Sequence, residues 1–502
     1  MPQKKDKGKA KADAPPKEIT EKDLQKLASS IDKIAGKVQA RQEKALAKGE
    51  APKEKKVDPV KEAEMRKKVE QMLQALSTME QTGAIKASGQ KDMGSHQFWN
   101  TQPVPQYGEN ITEEGPIEPS VPRDQVRQEP YALPKEFEWC EVDITNEKEI
   151  TELYQLLTLN YVEDDDAQFR FDYSAPFLKW ALQPPGWKKS WHVGVRVSSN
   201  KKLVAFISGT PAAVRSHKTV HHLTEINYLC VHKKLRSKRL APVLIKEVTR
   251  RSHLEGVFQA VYTAGTVLPK PVATCRYYHR SLNPKKLVEC NFSRVPRGST
   301  MAAMVKKFKV AEEFSTPGLR EMKAEDAPQV KELANKYLSK FDVAPVFETD
   351  DDVCHWLLPT KDVVWSYVVE DPKTHKITDF FSFYTLPSSV IGNAKHSSLN
   401  AAYMFYYAVE VPEKEAADSY DNTRYTKQRL TELMRDALVA AKKVSEYSLT
   451  ANFDVFNALS LMDNSMFIDD LKFGPGDGYL NYYLYNWRCR EIKPHKVGLV
   501  ML

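Results

Sequence analysis

Residues 225–242 read EINYLCVHKKLRSKRLAP, and this stretch indicates the fold class. A largely apolar β-type run ends in a short polar loop, which is rich in lysine and arginine and leads into an amphipathic helix. The start of a helix offers unpaired N–H groups and the positive end of the helix dipole, an arrangement that suits a pyrophosphate. The alternative is a basic helix start that faces solvent and binds nothing.

The residues around this stretch predict a mixed α/β fold from about residue 94. A proline-rich segment, 103–135, is expected to lie as an extended strap on the body. A helix is predicted at 147–161, with Asn146 as its N-cap and Glu149 three residues further on. Three strands are predicted next, at about 191–197, 202–209 and 223–231. A helix is predicted after them, at about 236–252.

The second half of the chain repeats this order of elements. Trp180 has a counterpart in Trp356, and the strand at 202–209 has a counterpart at 376–384. Further counterparts are a helix near 327–339, a strand at 403–409 and a helix near 428–443. We therefore expect two similar α/β halves packed side by side, which indicates an internal duplication.

The charge of the chain is concentrated in its first 93 residues. These residues hold 22 Lys and Arg against 15 Asp and Glu, whereas the remaining 409 hold 52 against 51. Phe98 is the first aromatic residue. We interpret residues 1–93 as a basic, mostly disordered tail and the rest as a globular body with two halves, 94–310 and 311–502.

Two segments of the tail, residues 24–38 and 65–79, have helical periodicity. They are either transient helices in a solvated tail or a docking element for ribosomes, RNA or acidic lipid. No stretch approaches the roughly 18 apolar residues of a membrane helix, and the first residues do not resemble a secretory signal. The six cysteines lack CxxC spacing, which argues against a disulfide framework or zinc site and favours the cytoplasm.

At these motifs the chain resembles the fungal N-myristoyltransferases, over roughly residues 94–502. The segments that carry the resemblance are FWNTQPV (98–104), residues 225–251, YTAG (262–265), FDVFNAL (453–459) and GPGDGY (474–479). The resemblance implies two tandem acetyltransferase-like (GNAT-like) halves related by a pseudo-twofold axis, with an acyl-CoA-binding half at 94–310 and a peptide-binding half at 311–502. It also implies transfer of a tetradecanoyl group from myristoyl-CoA to an N-terminal glycine, without a metal or a permanently bound cofactor.

The resemblance assigns residues to the two substrates. The acyl-CoA is expected to contact His96, Gln97, Phe98, Trp99, Tyr228, Leu229, Cys230, Val231, Arg236, Ser237, Lys238, Arg239, Leu240, Ala241 and Pro242. The acceptor peptide is expected to contact Asp172, Tyr173, Tyr277, His279, Asp477 and Gly478. Asn227 and Thr263 would position the amine. The partners are proteins with an N-terminal glycine, the enzyme is expected to be a monomer, and no specific nucleic acid is expected.

The resemblance also assigns the chemistry of the reaction. The backbone N–H groups of Tyr228 and Leu229 would form the oxyanion hole, freed from the sheet by a bulge. The family usually has Phe at the place of Tyr228, which should not matter because the donor is backbone. The carboxylate of Leu502 would accept the amine proton. The uncharged end, VGLVML (497–502), favours a buried terminus, although a terminal strand that fills the core explains it equally well.

Three alternatives accompany this interpretation. Cys230 and His232 could form a nucleophilic dyad, but we favour a core cysteine beside a loop histidine. Asp477 lies either in a hairpin turn or opposite a basic residue of the acceptor. The protein as a whole could instead be another N-acetyltransferase of the same fold, or a ribosome- or RNA-binding scaffold that depends on the tail.

Overall fold

The segment 219–231 forms a long strand in one large mixed sheet. The computed structural model describes residues 96–164, 166–412, 419–447 and 453–502, which belong to one unit, Gln90–Leu502. The predicted tail helices at 24–38 and 65–79 lie outside the described residues.

The described residues form sixteen strands and eight α-helices. The strands are β1 Phe137–Glu141, β2 Phe169–Phe171, β3 His192–Val197, β4 Leu203–Ser216, β5 Thr219–Val231, β6 Ala260–Ala264, β7 Ala273–Ser281, β8 Leu319–Glu321, β9 Val343–Pro345, β10 Val364–Glu370, β11 Ile377–Thr385, β12 Ser388–Val390, β13 Ser398–Leu399, β14 Ala401–Val409, β15 Val455–Leu459 and β16 Gly474–Tyr485. The helices are α1 Glu147–Asn160, α2 Ala175–Leu182, α3 Leu240–Leu254, α4 Pro284–Glu289, α5 Met301–Lys307, α6 Ala327–Leu338, α7 Asp350–Leu357 and α8 Ser419–Tyr447.

The order of strands in the large sheet confirms the predicted duplication. The order is β1-β3-β4-β5-β6-β16-β7-β15-β14-β11-β10-β8, with β9 added on β4. Read inward from either edge, both halves show three antiparallel pairings, then one parallel pairing, β5 with β6 or β14 with β15. The last strands of the halves are exchanged, because β16 pairs with β6 and β7 pairs with β15. The predicted mixed α/β fold with two similar halves is therefore confirmed.

The helix after the basic loop begins later than predicted. The sequence pattern predicts a start near residue 236, but α3 begins at Leu240. Lys233–Leu235 forms a 3-10 turn, and Ser237 and Arg239 have φ angles of +66° and +58°. Since these left-handed conformations are incompatible with a right-handed helix, the basic residues form a loop ahead of α3.

Local capping and packing fix the elements around the site. The side chain of Asn146 accepts hydrogen bonds from the backbone N–H groups of Lys148 and Glu149, as expected of an N-cap. The segment 103–135 contains only one 3-10 turn, Arg123–Gln125, and pairs with the end of the chain through a bridge between Gly115 and Arg488. The predicted strap is confirmed.

The cysteines of the described residues are not joined in a disulfide framework. All six cysteines are free thiols, and four of them are buried. No helix in the described part of the chain combines the length and the apolar character needed to cross a bilayer.

Candidate active site

A bulge interrupts the central strand at the predicted oxyanion hole. Phe206 of β4 is opposite Cys230, whereas Ser208, two residues on, is opposite Asn227. Ile207 therefore faces both Tyr228 and Leu229. Tyr228 has a φ of +55°, which is rare for a residue with a side chain. A bulge leaves the extra residue out of the ladder, so its backbone can turn towards a ligand.

Beyond the bulge, β5 and β6 separate and a cavity opens between them. The parallel pairing covers only Thr224–Ile226 and Ala260–Tyr262. The cavity has a volume of about 380 Å³ and a mainly apolar lining. The lining includes all five residues that were predicted to carry the reaction, namely Asn227, Tyr228, Leu229, Thr263 and Leu502. We call this space the acyl-transfer cavity.

Polar side chains in the wall between α3 and β5 are bonded to each other. The hydroxyl groups of Thr224 and Ser252 lie 2.6 Å apart, and the Ser252 hydroxyl donates to the carbonyl oxygen of Val257 at 2.9 Å. His253 stacks on Phe258, and burial lowers the pKa of its imidazole to about 4. The wall is therefore uncharged, which suits a hydrocarbon chain.

An aromatic stack closes another side of the cavity. The rings of Trp99 and Tyr262 are 5.5 Å apart and nearly parallel, and Tyr262 stacks in turn on Tyr483 at 4.9 Å. Of the four residues predicted at 96–99, only Trp99 lines the cavity. His96, Gln97 and Phe98 do not line it, and the carbonyl oxygens of His96 and Phe98 accept hydrogen bonds that hold the 3-10 turn around Trp99.

The basic loop lies between β5 and α3 and has free cations. Arg236, Ser237, Lys238 and Arg239 are exposed, and α3 has neither a side-chain cap nor an acidic residue in its first turn. None of Lys234, Lys238 and Arg239 has an acidic partner within the described residues. The first amides of α3, from Leu240 and Ala241 ahead of Pro242, are therefore available to an anion together with these charges.

The loop is anchored on its inner side. Arg236 donates to the carbonyl oxygen of Asn160 at 2.5 Å, and the backbone N–H of Lys233 donates to the Asn160 side chain at 3.0 Å. The ammonium of Lys233 also bonds to Glu163 at 2.5 Å. This anchoring holds the loop at the end of α1, next to the acyl-transfer cavity.

Cys230 and His232 do not form a nucleophilic dyad. Burial raises the pKa of the Cys230 thiol to about 12, and its Sγ points to the carbonyl oxygen of Leu156 at 3.9 Å. The Nδ1 atom of His232 instead caps the 3-10 turn by accepting from the N–H of Lys234 at 3.3 Å. The interpretation of Cys230 as a core cysteine is supported. Neither Cys230 nor Val231 lines the acyl-transfer cavity.

The predicted peptide-binding residues fall into two groups. Tyr173 and Tyr277 line the acyl-transfer cavity. Asp172 does not line it and accepts from the hydroxyl of Thr158 at 3.3 Å. His279 is 2.7 Å from the side-chain oxygen of Asn457, and burial lowers its pKa.

Asp477 and Gly478 do not lie in a hairpin turn, so that alternative is wrong. They lie inside β16, where Pro475 is opposite Tyr278 and Tyr479 is opposite Arg276, so that two extra residues bulge out. Gly476 brings this bulge against His279, since a Cβ atom there would lie 2.3 Å from the ring Nε2. Asp477 is exposed on the bulge, close enough to His279 to raise its pKa against the effect of burial.

The last residues of the chain are packed into the body. Val497, Leu499, Val500 and Met501 are buried, and Tyr406 holds the segment by accepting from the N–H of Val500 at 3.0 Å. Leu502 lines the acyl-transfer cavity and also a second cavity of about 190 Å³, which we call the rear cavity. The expected burial of the terminal segment is confirmed.

Several residues at the site were missed in the sequence. Phe171, Tyr161, Tyr384 and Tyr403 line the acyl-transfer cavity from other elements, and Glu225 lines the rear cavity. The tyrosines lie in apolar segments with no local signal that distinguishes cavity from core. Glu225 had a signal, because it is an acid in an otherwise uncharged run of β5.

One group of potential metal ligands occurs among the described residues, outside both cavities. It consists of Glu114, His217 and Cys489. Glu114 is 3.1 Å from the ring of His217, and its carboxylate forms an ion pair with Arg490 at 3.4 Å. The group ties the strap to the body and takes no part in the chemistry at the bulge.

The sequence of both halves matches a known family of acyltransferases. Residues 116–275 match the family Myristoyl-CoA:protein N-myristoyltransferase, N-terminal domain, and residues 289–500 match its C-terminal domain. This chain belongs to the N-myristoyltransferase family. Glycylpeptide N-tetradecanoyltransferase 1 of Arabidopsis thaliana is 52% identical over 412 residues, which cover 81% of this chain and 89% of the relative.

Two fungal relatives agree with this membership. The glycylpeptide N-tetradecanoyltransferase of Schizosaccharomyces pombe is 50% identical over 435 residues, 83% of this chain and 91% of the relative. A crystal structure of Saccharomyces cerevisiae N-myristoyltransferase with bound myristoyl-CoA has a TM-score of 0.77 and 45% identity, and it covers 82% of this chain and 100% of that chain. Since the plant relative is as similar as the fission-yeast one, the fungal origin stays a prediction.

Proposed function

We propose that this chain transfers a tetradecanoyl group from myristoyl-CoA to the amine of an N-terminal glycine. The chain is an acyltransferase of the N-myristoyltransferase family, with myristoyl-CoA as the acyl donor. The observation that carries the proposal is the bulge at Tyr228 and Leu229, which opens onto an apolar cavity beside a basic loop.

Transfer proceeds by direct attack of the amine on the thioester. The amine nitrogen bonds to the carbonyl carbon, and negative charge develops on the carbonyl oxygen. The backbone N–H groups of Tyr228 and Leu229 stabilise this charge as a preorganised oxyanion hole. The carbon–sulfur bond then breaks, the product is an amide, and the leaving sulfur takes the proton that the nitrogen loses after attack. The Cys230 thiol does not form an acyl-enzyme, because its high pKa makes it a poor nucleophile.

A base must first convert the glycine ammonium into a free amine. We assign this role to the carboxylate of Leu502, which belongs to a residue that lines the same cavity as Tyr228 and Leu229. Asn227 and Thr263, in the same cavity wall, position the amine. A carboxylate in a poorly hydrated site is a stronger base than one in water, which favours proton transfer near neutral pH.

The two substrates enter from different sides. The basic loop and the first amides of α3 hold the phosphates of the CoA, and the uncharged wall at Thr224 and Ser252 holds the acyl chain. The acceptor peptide lies against Tyr173 and Tyr277 in the acyl-transfer cavity. We assign Asp172, His279, Asp477 and Gly478, which lie outside this cavity, to contacts with later residues of the peptide. Asp477 is exposed and suits a basic side chain of the acceptor.

An acylation assay tests the proposal. The full chain is mixed with myristoyl-CoA and with matched peptides that begin with glycine or with alanine. We expect acylation of the glycine peptide only. Acylation of both peptides, or of neither, would contradict the proposed acceptor.

Acetylation of amines, the competing activity of this fold, is distinguished by acyl length. Each CH₂ group buried in the cavity stabilises the complex by roughly 0.8 kcal/mol. Myristoyl-CoA should therefore raise the melting temperature far more than acetyl-CoA at equal concentration. Equal shifts would favour an acetyltransferase.

The basic tail serves localisation rather than chemistry. All residues that carry the reaction lie beyond residue 95, and the net charge of +7 lies in residues 1–93. A chain that starts at residue 94 should keep its turnover as a cytoplasmic monomer but lose salt-sensitive association with ribosomes. A large drop in turnover would instead support the scaffold hypothesis, in which the tail is essential.

A further inference from the structure

Glu225 lies directly behind a residue that positions the amine. It precedes Asn227 by two positions on β5, so both side chains point to the same face of the strand. The side-chain Nδ2 of Asn227 donates to Oε1 of Glu225 at 2.8 Å. Asn227 lines the acyl-transfer cavity, whereas Glu225 lines the rear cavity. The hydrogen bond therefore joins the two cavities.

No cation neutralises the Glu225 carboxyl. Within the part of the chain that the structure describes, no Lys, Arg or His lies in ion-pair range of it, and Asn227 is its one hydrogen-bond partner. Burial is the main cause of the raised pKa values of the Tyr406 and Tyr228 hydroxyls, and the negative charge of Glu225 raises both further. Leaving a carboxyl buried without a cation is costly, which indicates a role beyond stability.

The bond fixes which edge of the Asn227 amide faces the amine. In the observed bond the NH₂ group of Asn227 faces Glu225, and a carboxyl oxygen can accept this hydrogen bond whether the carboxyl is ionised or not. The Oδ1 atom of Asn227 is then held on the opposite edge of the planar amide. A glycine ammonium or amine has only N–H groups to offer, and it therefore requires an acceptor such as Oδ1.

We propose that Glu225 is a positioning residue that holds the Asn227 amide with its oxygen towards the acceptor amine. This inference rests on the proposed function, because it assumes that a glycine amine enters the acyl-transfer cavity. Glu225 acts through Asn227 and does not touch either substrate.

The experiment compares three single variants and one double variant of the full chain. Glu225→Met keeps the volume but removes the acceptor, and Glu225→Gln keeps an acceptor oxygen without the charge. Asn227→Ala removes the group that is positioned. We measure kcat and KM for a glycine peptide, the Kd for myristoyl-CoA, and the melting temperature of each variant.

We expect Glu225→Met to lower kcat/KM for the peptide about tenfold or more, with an unchanged Kd for myristoyl-CoA. Glu225→Gln should stay within about threefold of wild type. The double variant Glu225→Met/Asn227→Ala should have the same kcat/KM as Asn227→Ala alone, because Glu225 acts only through Asn227. Glu138→Gln, which removes an exposed carboxylate that pairs with Lys201, is the matched control and should behave as wild type.

Three results would overturn the inference. The first is a wild-type kcat/KM for Glu225→Met, and the second is an equal decrease in kcat/KM for Glu225→Met and Glu225→Gln. The third is a double variant in which the decreases of the two single variants add in free energy. A purely structural role would also lower the melting temperature and the affinity for myristoyl-CoA together. If the wild type itself does not acylate a glycine peptide, the proposed function fails. The binding of glycine peptide to the myristoyl-CoA complex, compared between wild type and Glu225→Met, then decides the positioning role separately.

Discussion

Trp180 and Trp356 meet edge to face, with ring centroids 5.3 Å apart and an interplanar angle of 77°. They occupy matching helices of the two halves, α2 and α7. The indole N–H of Trp180 donates to the carbonyl oxygen of His355 at 2.8 Å, and the His355 ring lies 2.8 Å from the carbonyl oxygen of Trp180. The two counterparts that revealed the duplication thus touch each other where the halves meet.

This contact should be important for stability. Trp180 is almost fully buried, and replacement of such a residue by alanine leaves a large cavity. We expect Trp180→Ala to lower the free energy of unfolding by about 3–5 kcal/mol, as measured by urea denaturation. Trp180→Phe, which keeps the aromatic packing but loses the hydrogen bond, should cost clearly less. Equal effects of the two substitutions would contradict a packing role.

The hydroxyl of Tyr228 should be dispensable. It is buried and has no hydrogen-bond partner in the described residues. An unpaired buried hydroxyl costs about 1–3 kcal/mol, and the oxyanion hole uses the backbone rather than the side chain. Tyr228→Phe should therefore retain turnover within about twofold and melt at the same or a higher temperature. A loss of turnover above tenfold would show that the hydroxyl contacts a substrate.

Much of the fold could be predicted from the sequence because the duplication repeats strong local patterns. Helices α1 and α6 begin and end close to the predicted residues, since periodicity and the Asn146 cap are local features. The exchange of β7 and β16 between the halves could not be predicted. It depends on pairings between residues about 200 positions apart, for which a single sequence has no signal.

The site shows the same division between local and long-range features. The bulge at Tyr228 was expected from the resemblance and is present. The late start of α3 was missed, because it shows in the left-handed conformations of Ser237 and Arg239 and in a bond between Arg236 and Asn160, which are 76 positions apart. The bulge at Asp477 was also missed, since a glycine-rich segment in sequence predicts a turn more readily than an interrupted strand.

The basic loop should control the affinity for CoA. Replacing Arg236, Lys238 and Arg239 together by alanine removes charge-assisted contacts worth about 1.5–3 kcal/mol each. We expect the Kd for myristoyl-CoA to rise at least a hundredfold, with little change in the KM for peptide. The control replaces three exposed lysines elsewhere, Lys218, Lys285 and Lys306. Unchanged affinity in the loop variant would mean that the loop is only a solvated surface.

Glu225 should make stability depend on pH. Burial raises the pKa of its carboxyl from 4.5 to about 7. Between about pH 4.5 and 7 the folded state therefore binds more protons than the unfolded state, and stability falls as pH rises. Above pH 7 the free energy of unfolding is lower by roughly 3 kcal/mol than below pH 4.5.

Glu225→Gln removes this titration. The variant should be more stable than wild type at pH 8 and nearly equal to it at pH 5, as measured by urea denaturation at both values. Comparing the two proteins at each pH cancels the contribution of the other titrating groups. The same difference at pH 5 and pH 8 would show that Glu225 does not titrate in this range.

The carboxylate at Leu502 should be the base of the reaction. Residues Val497–Met501 are buried, and a Cβ atom on Gly498 would lie 2.9 Å from Phe341, so the segment is held in one position. Since the proposed base is a main-chain group, Leu502→Ala should remain largely active. Deleting the last three residues, or extending the chain beyond Leu502, should slow acylation by roughly 10²–10⁴-fold, because the carboxylate is lost or displaced.

The same extension placed before Met1 is the control for the bulk of the added residues. Myristoyl-CoA should bind all four proteins alike, so that the loss appears in the rate. Full activity with the extension at Leu502 would place the base elsewhere, with Glu225 as the next carboxyl to test, since it lines the rear cavity together with Leu502.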